Sequence, residues 1–508
     1  MIELHTAGHH RGAVAAPHHA AVEAGRAVLA EGGNALEAMV AMAASIAVVY
    51  PHMAQMGGDG IWLIREPSGR VCAIIAAGRA GANARRELYR EHETIPSRGA
   101  LAALTAPGAV AGWMLALEAA KASGGRMGLG DLLAPAIAQA KEGASVTKSQ
   151  ARLTAQNLSE LKHVPGFAQV FLLDGKAPNA GAMLKQTALA ATLEHLAHAG
   201  LDDFYRGDVG REIAGDLDRI GSPLTRSDLE RCRASLAEPL SVTIEDDTLF
   251  NTPPPTQGLA SLIILALFER LRVPQGEGFD HVHGLVEATK RAFGVRDRVI
   301  TDPDRLSHSV DRYLAAPFLD GEFLAIHRRK AAPWQPAAGA GGTIWIGAAD
   351  ASGLIVSYLQ SLYWEFGSAV VLPTTGVLMQ NRGSSFSLDG GALNALEPGR
   401  LPYRLRCSRA TCATGCPFRA RSRHRAGCWA APGAQPTAIC AWNRVSTTRL
   451  SSASQQRATK STCCRRVIPI SWAMPARWCF IRMARLKPAT TRVRTAARRG
   501  RRFHVTLH

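Results

Sequence analysis

The apolar pattern changes period at Thr343, and that change limits the possible folds more than any other feature of the chain. Before it, "GLASLIILALFERL" reads as a mostly buried helix and "HVHGLVEATKRAFGVRDRV" as another, and over residues 109–142 and 187–220 apolar residues recur at spacings of three and four. That spacing lines one face of a helix. From Thr343 on, "TIWIGAAD", "LIVSYLQSLY" and "GVLMQNRG" alternate with period two between glycine turns, which reads as strands. Residues 326–342, "IHRRKAAPWQPAAGAGG", join the two regimes and have the composition of a linker. The expectation is a mixed α and β fold with sheets covered by helices.

The remaining elements follow from local signals. "AAVEAGRAVLAEGGNALEAMVAMAASIAVV" reads as two helices joined at "EGGN", whose glycines suit a helix end and a turn. "QMGGDGIWLIRE" is a glycine turn running into a strand, and "SGRVCAIIAAGRAG" supplies its hairpin partner. "LSVTIEDDTLFNTPPPTQG" reads as one strand followed by a proline-rich turn, and Asp302-Pro303 ends the preceding helix. "QMGGDG" lacks the lysine and following helix of a phosphate-cradling loop, and there is no internal repeat.

A net charge of +18 would ordinarily point to an acidic partner such as nucleic acid or a membrane surface. Its location removes that inference. The segment from Arg406 to His508 holds 22 of the 59 basic residues and none of the 41 acidic ones, leaving 37 against 41 before it. The body is mildly acidic. Eight of the ten cysteines also follow Leu405; Cys72 and Cys232 alone give no disulfide framework. The N-terminus lacks the charged-then-apolar pattern of a signal peptide, and "AMVAMAASIAVVY" is too short to span a bilayer. The expectation is a cytoplasmic protein with neither a membrane nor a nucleic-acid partner.

Thr343 stands directly after Gly341 and Gly342. A threonine hydroxyl is a weak nucleophile, and one remedy is to make the residue N-terminal so that its own α-amine acts as base. That amine has an ordinary pKa of about 7.7–8.0, well matched to general-base work near neutrality. An internal threonine gains it only if the preceding bond is cut, and glycines permit the contorted backbone such a cut needs. The competing reading is that Thr343 merely starts a strand, which threonine favours.

The chain resembles the γ-glutamyltranspeptidase family of N-terminal nucleophile hydrolases. The resemblance is carried by "GGNALEAMVAMAASIAVVYPHMAQMGGDGIWLI", "AAGRAGANA", "TAPGAVAGW", "NTPPPTQG", "VEATKRAFGVRDR", "GGTIWIGAAD" and "SLYWEFGSAVVLPTTGVLMQNRGSSFSLD". These occur in the family's order across most of residues 10–405. The resemblance implies an α+β fold, a four-layer α/β/β/α sandwich, and a proenzyme that cuts itself between Gly342 and Thr343. Residues 1–342 would become a large subunit and residues 343–405 the start of a small one. Thr343 would attack a small-molecule amide, form an acyl-enzyme, and pass the acyl group to water or an amine.

By the same resemblance, Arg79 matches an arginine that holds the substrate carboxylate, Ser361 a hydroxyl residue that bonds the nucleophile, and Asn381 a further site residue. Gly353 and Gly367 also match, as turn and packing glycines. Where γ-glutamyl enzymes place Asn, Gln and Asp around the α-amino and α-carboxyl groups, this chain has Tyr363, Arg382 and Ser385. Losing the acidic residue removes the partner of an α-ammonium, and Arg382 adds a cation. A site with Arg79 and Arg382 and no carboxylate favours anionic acyl groups without an amine, as in oxamate-like or glutaryl-like amides. Hydrolysis of such amides is therefore expected, with γ-glutamyl transfer or glutathione hydrolysis as the alternative.

No cofactor is expected. His281, His283 and the cluster His9, His10, His18, His19 have no acidic or cysteine partner at ligand spacing, so no metal is expected either. Asp297 and Asp302 read as caps or ion-pair partners.

The resemblance stops near Leu405. A Gly-Gly pair supplying oxyanion N–H donors should follow, yet the chain reads "RCSRATCATGCPFRARSRHRAGC". A frameshift accounts for this. Read one base earlier, the codons of Trp429-Ala430-Ala431 can encode Leu-Gly-Gly, and the same shift in "AMPARWCFIRMAR" and "TTRVRTA" yields family-like stretches. Residues 406–508 are then an out-of-frame tail. The alternatives are an inactive remnant, or a basic tail that binds nucleic acid through its arginines and Trp429, Trp442, Trp472 and Trp478.

Overall fold

The computed structural model describes residues 5–9, 11–273, 278–333, 342–403 and 481–482. The tail after Leu405, apart from Ile481–Arg482, and the Gly-Gly pair expected there lie outside the described residues.

A seven-stranded sheet organises the molecule. Its strands are β1 (His5–His9), β2 (Gly12–Ala16), β3 (Asp59–Arg65), β4 (Val71–Ala76), β5 (Ser235–Ala237), β8 (Gly342–Asp350) and β9 (Ile355–Tyr363). Their spatial order is β1-β2-β8-β9-β3-β4-β5. A second sheet contains β6 (Leu240–Ile244) and β7 (Asp247–Asn251), with β10 (Ile481–Arg482) beside β7. The period change at Thr343 thus marks strands that enter the centre of a sheet begun by the other end of the chain.

Period-two burial explains the layers. Ile344, Ile346 and Ala348 of β8 point to one face, with Val356 and Tyr358 of β9, and join a core built on helices. Those helices are α1 (His19–Ala30), α2 (Ala35–Val49), α3 (Ala109–Ala122) and α4 (Leu129–Glu142). All fifteen residues of α2 are buried, which explains an apolar pattern that runs all round it. A capping box starts this helix: Asn34 Oδ1 accepts from the Glu37 N–H, and Glu37 Oε2 accepts from the Asn34 N–H. Gly32, at φ +95°, makes the turn between α1 and α2.

The opposite face of the sheet meets the second one, where Leu63, Val71 and Ala73 pack against Phe250 of β7. Behind the second sheet, Leu240 and Val242 pack on α5 (Gly258–Leu271) and α6 (Phe279–Val299). Helices, sheet, sheet and helices therefore stack in the α/β/β/α order that the resemblance implied. Among the described residues no helix is long and apolar enough to cross a membrane.

Three local readings need correction. "LSVTIEDDTLF" is a hairpin rather than one strand, because the chain reverses at Glu245, which has φ +52°. "GVLMQNRG" is not a regular strand; it makes only an isolated bridge, Val371 to Leu378, and ends in a 3-10 turn at Arg382–Ser385. The histidine-rich N-terminus, given no structure from sequence, forms the edge strand β1 and its neighbour β2.

Candidate active site

Thr343 follows the first residue of β8, on the face that looks toward the second sheet. The pairing with β9 slips here: Gly342 opposes Tyr363, but Ile344 opposes Gln360. The bulge gives β9 an extra residue opposite Thr343. It brings the Ser361 hydroxyl to 2.9 Å from the Thr343 hydroxyl.

The hydrogen bonds fix the direction of the protons. A serine hydroxyl has one hydrogen and two lone pairs. Ser361 donates to the Gly342 carbonyl at 2.6 Å and accepts from the Tyr363 N–H at 2.9 Å. Its one hydrogen is spent, so Thr343 is the donor in the bond between the two hydroxyls. Oγ of Ser361 thereby links the Thr343 hydroxyl to the carbonyl of the peptide bond before it. Tyr363 holds φ +80°, the left-handed region that a tyrosine rarely occupies. Gly342 is packed closely: a Cβ there would lie 2.8 Å from Met53 Cε.

A cavity of about 60 Å³ adjoins Thr343. Ile61, Leu359, Ser361 and Tyr363 form its sheet side, and Asn251, Thr252, Pro255, Thr256 and Gln257, from the "NTPPPTQG" loop after β7, form its other wall. A cavity of about 150 Å³ takes a benzene ring, so this one suits an acyl group of a few heavy atoms. Asn251 Oδ1 accepts from the Thr252 N–H, which turns its amide nitrogen into the wall, where it has no partner among the described residues. Such an orphaned donor is the kind of group a bound polar ligand satisfies.

The charged members of the lining are Arg382 and Asp59. Arg382 Nη1 lies 3.2 Å from Asp59 Oδ2, and Asp59 is 2% exposed. The other carboxylate oxygen accepts from the Gly78 and Gly108 N–H groups and from Gln380 Nε2. Burial pushes the Asp59 carboxyl above its ordinary range, against the opposing pull of Arg382 and these hydrogen bonds. The expected site without a carboxylate is thus corrected: it contains one, paired to Arg382.

Of the residues singled out from sequence, Thr343, Ser361, Tyr363 and Arg382 come together at the cavity, next to Gly342. Arg79, Asn381 and Ser385 do not line it. The Arg79 guanidinium is held by Asp302 at 3.1 Å, by Asp304 at 2.6 Å and by the Gly399 carbonyl. Asn381 is fully buried and works on the backbone, accepting from the Trp364 N–H and donating to the Ser97 carbonyl. The Ser385 hydroxyl is buried without a partner among the described residues. Asp302 also accepts from the Asp304 and Leu401 N–H groups, the capping and pairing role expected of it. Sequence reasoning missed Asp59, Gln380 and the loop wall. An acid inside "GGDGIWLI", where an apolar strand begins, was the available signal for Asp59.

The family model described as gamma-glutamyltranspeptidase matches residues 21–410. An oxamate amidohydrolase proenzyme of Klebsiella pneumoniae is 48% identical over 393 residues, covering 77% of this chain and 74% of the relative. A glutathione hydrolase-like proenzyme of Bacillus subtilis is 37% identical over 412 residues, covering 80% and 77%. Among solved structures, cephalosporin acylase from Bacillus halodurans superposes with a TM-score of 0.71 at 30% identity, covering 79% of this chain and 74% of that one. Helicobacter pylori gamma-glutamyltranspeptidase superposes with a TM-score of 0.59 at 26% identity, covering 62% and 92%.

Proposed function

This chain belongs to the gamma-glutamyltranspeptidase family of amide hydrolases, and from that premise we propose that it is a self-cleaving threonine hydrolase for amides of small anionic acids. The observation that carries the reading is the bonded series from the Thr343 hydroxyl through Ser361 Oγ to the Gly342 carbonyl.

In processing, Thr343 Oγ1 attacks the Gly342 carbonyl carbon. Ser361 accepts the departing proton as its own hydrogen stabilises the charge growing on the carbonyl oxygen. That proton passes to the Thr343 nitrogen as its bond to the Gly342 carbonyl carbon breaks, so the peptide bond is exchanged for an ester; water then hydrolyses the ester and leaves the Thr343 α-amine free. Residues 1–342 and the segment beginning at Thr343 become the two subunits.

In turnover, the freed amine takes the proton of the Thr343 hydroxyl, and Oγ1 attacks the substrate amide carbon. The amide nitrogen leaves with a proton, and water releases the acid from the acyl-enzyme. Arg382 is the cation beside this reaction and holds the acyl carboxylate with the planar donors of its guanidinium. Arg79 would have to leave two carboxylates before it could serve. The small cavity and the 48% identical oxamate amidohydrolase favour oxamate-like amides. A second reading, glutathione hydrolysis, has the support of the 37% identical relative.

The test is expression of the full chain, N-terminal sequencing of its fragments, and assay with oxamate and with glutathione. A fragment starting Thr-Ile-Trp-Ile and ammonia release from oxamate are expected. An intact chain that turns over neither compound would refute the proposal.

A further inference from the structure

Asp59 has a hydrogen-bonding pattern that separates its two oxygens by task. Oδ1 is committed to the scaffold: the Gly78 N–H at 3.0 Å, the Gly108 N–H at 3.1 Å and Gln380 Nε2 at 3.0 Å. Gln380 cannot be turned the other way without loss, because its nitrogen also donates to the Ala106 carbonyl. Among the described residues, Oδ2 is given to Arg382 alone. Three donors hold the carboxyl in place even if Oδ2 loses its partner.

Arg382 is built differently. Its side chain is 15% exposed and borders the cavity, against 2% for the Asp59 side chain. A guanidinium has five N–H donors, and the bond to Asp59 occupies one. It can therefore present a second, bidentate face to a carboxylate in the cavity. Without that ligand, Arg382 and Asp59 form a neutral pair. With it, two carboxylates compete for one cation in a buried place, and like charges so close cannot both stay ionised cheaply. The least disruptive relief is a proton on Asp59 Oδ2, since Oδ1 keeps all three of its bonds.

We propose that Asp59 is the proton-linked specificity residue of this site: it holds Arg382 while the cavity is empty and takes one proton when a substrate carboxylate replaces it on that guanidinium. The bond formed is O–H on Oδ2, the bond broken is the hydrogen bond from Arg382 Nη1, and the proton comes from solvent. An acyl group without a carboxylate cannot displace Asp59 and leaves the pair closed. The neighbours that sense Asp59 do not supply the proton at neutral pH: Tyr205 and Tyr358 are pushed well above their usual range by burial, and Cys232 up to about 12. Burial also pushes the Asp59 carboxyl itself upward.

This rests on the anionic-amide reading above, and the experiment separates the two. The full chain is titrated calorimetrically with oxalate between about pH 5 and 9, where ordinary carboxyls are already ionised. Each pH is repeated in two buffers of different ionisation heat, so that protons taken up per oxalate are counted directly. Wild-type protein is expected to take up a large fraction of one proton at some pH in this range. Its affinity should fall by up to about tenfold per pH unit as pH rises through that point. Asp59→Asn keeps an acceptor for the three scaffold donors and is expected to bind oxalate with no linked proton and no such slope. Arg382→Gln is expected to lose at least about tenfold in affinity. Wild-type binding without proton uptake, or equal uptake by Asp59→Asn, overturns the proposal while leaving the hydrolase reading standing. Absence of oxalate binding by the wild-type chain overturns the anionic-amide reading and this proposal with it. If Asp59→Asn fails to fold, the uncleaved Thr343→Ala chain, which has no freed amine beside the cavity, is titrated instead: uptake retained there supports the proposal, and uptake lost there overturns it.

Discussion

Asp59 and Ser361 are register partners on the neighbouring strands β3 and β9. Directly opposed residues of an antiparallel pair share one face of the sheet. The carboxylate that holds Arg382 and the hydroxyl that holds Thr343 therefore stand side by side, so the placing of Arg382 and of Thr343 depends on one piece of strand pairing.

Thr343→Ala should leave the chain intact on a denaturing gel and lower amide hydrolysis by between about 10⁴- and 10⁶-fold, the range for losing a covalent nucleophile. Thr343→Ser keeps the hydroxyl and should still yield two fragments. Fragment formation by the alanine variant would dismiss Thr343 as the processing residue.

Ser361→Ala removes the group that bridges Thr343 Oγ1 and the Gly342 carbonyl. Self-cleavage should slow by about 10²–10³-fold, the usual effect of losing one oxyanion donor. A time course of fragment appearance measures it, and Ser361→Thr should recover most of the rate. Unchanged kinetics in the alanine variant would show that the bridge is idle.

Gly342→Ala introduces a methyl 2.8 Å from Met53 Cε. Overpacking of this kind costs about 1–3 kcal/mol and shifts the scissile carbonyl away from Ser361. Slower cleavage is expected, with partial recovery in the double variant carrying Met53→Ala. Recovery absent from the double variant would locate the defect elsewhere.

The two arginines should separate by kinetics. Arg382→Gln is expected to raise KM for oxamate at least about tenfold. Arg79→Gln should change that KM by less than about threefold but lower stability, because Asp302, with a side chain 3% exposed, loses its cation. The cost should be about 1 kcal/mol, at the low end for an abandoned partner, since Arg79 itself is 45% exposed and screened by water. A large KM effect from Arg79 would make it the carboxylate anchor after all.

Asp59 also sets a pH dependence of stability. Its carboxyl titrates higher folded than unfolded, because burial dominates, so the native state binds the proton more tightly. The stability it contributes is complete below the ordinary carboxyl pKa of about 3.9 and is lost as pH rises through the raised folded value. Denaturant unfolding of wild type and Asp59→Asn at a series of pH values checks this. The wild type should lose ground to the variant as pH increases across that window; a constant difference would contradict the assignment.

What could be read from the sequence was whatever a short stretch encodes. The α1–α2 pair follows from apolar spacing, the Asn34 cap and Gly32, all within a few residues of one another. The strand at Thr343 follows from period-two alternation, and the special position of Thr343 from the glycines before it. The hairpin at Glu245 was missed because the acidic reversal carries no glycine or asparagine. The irregular path of residues 376–383 was missed because its backbone bonds go to distant segments, such as Gln380 N–H to the Gly57 carbonyl, rather than to a neighbouring strand.

The sequence by itself determined the main helices, the strands β3, β4, β8 and β9, and the family of chemistry, because periodicity, caps and motif order are local properties. Only the tertiary structure decided which charges face Thr343. Asp59 and Arg382 are 323 residues apart and meet because residues 380–381 bond back to the strand ends, Gln380 N–H to the Gly57 carbonyl and Asn381 N–H to the Leu362 carbonyl, in a register that no local pattern records. Arg79 was drawn instead to Asp302 and Asp304, since an exposed guanidinium takes the carboxylates that the fold brings within reach. Sheet order and register arise from the burial of whole faces at once, and so the composition of the site is a property of the assembled layers.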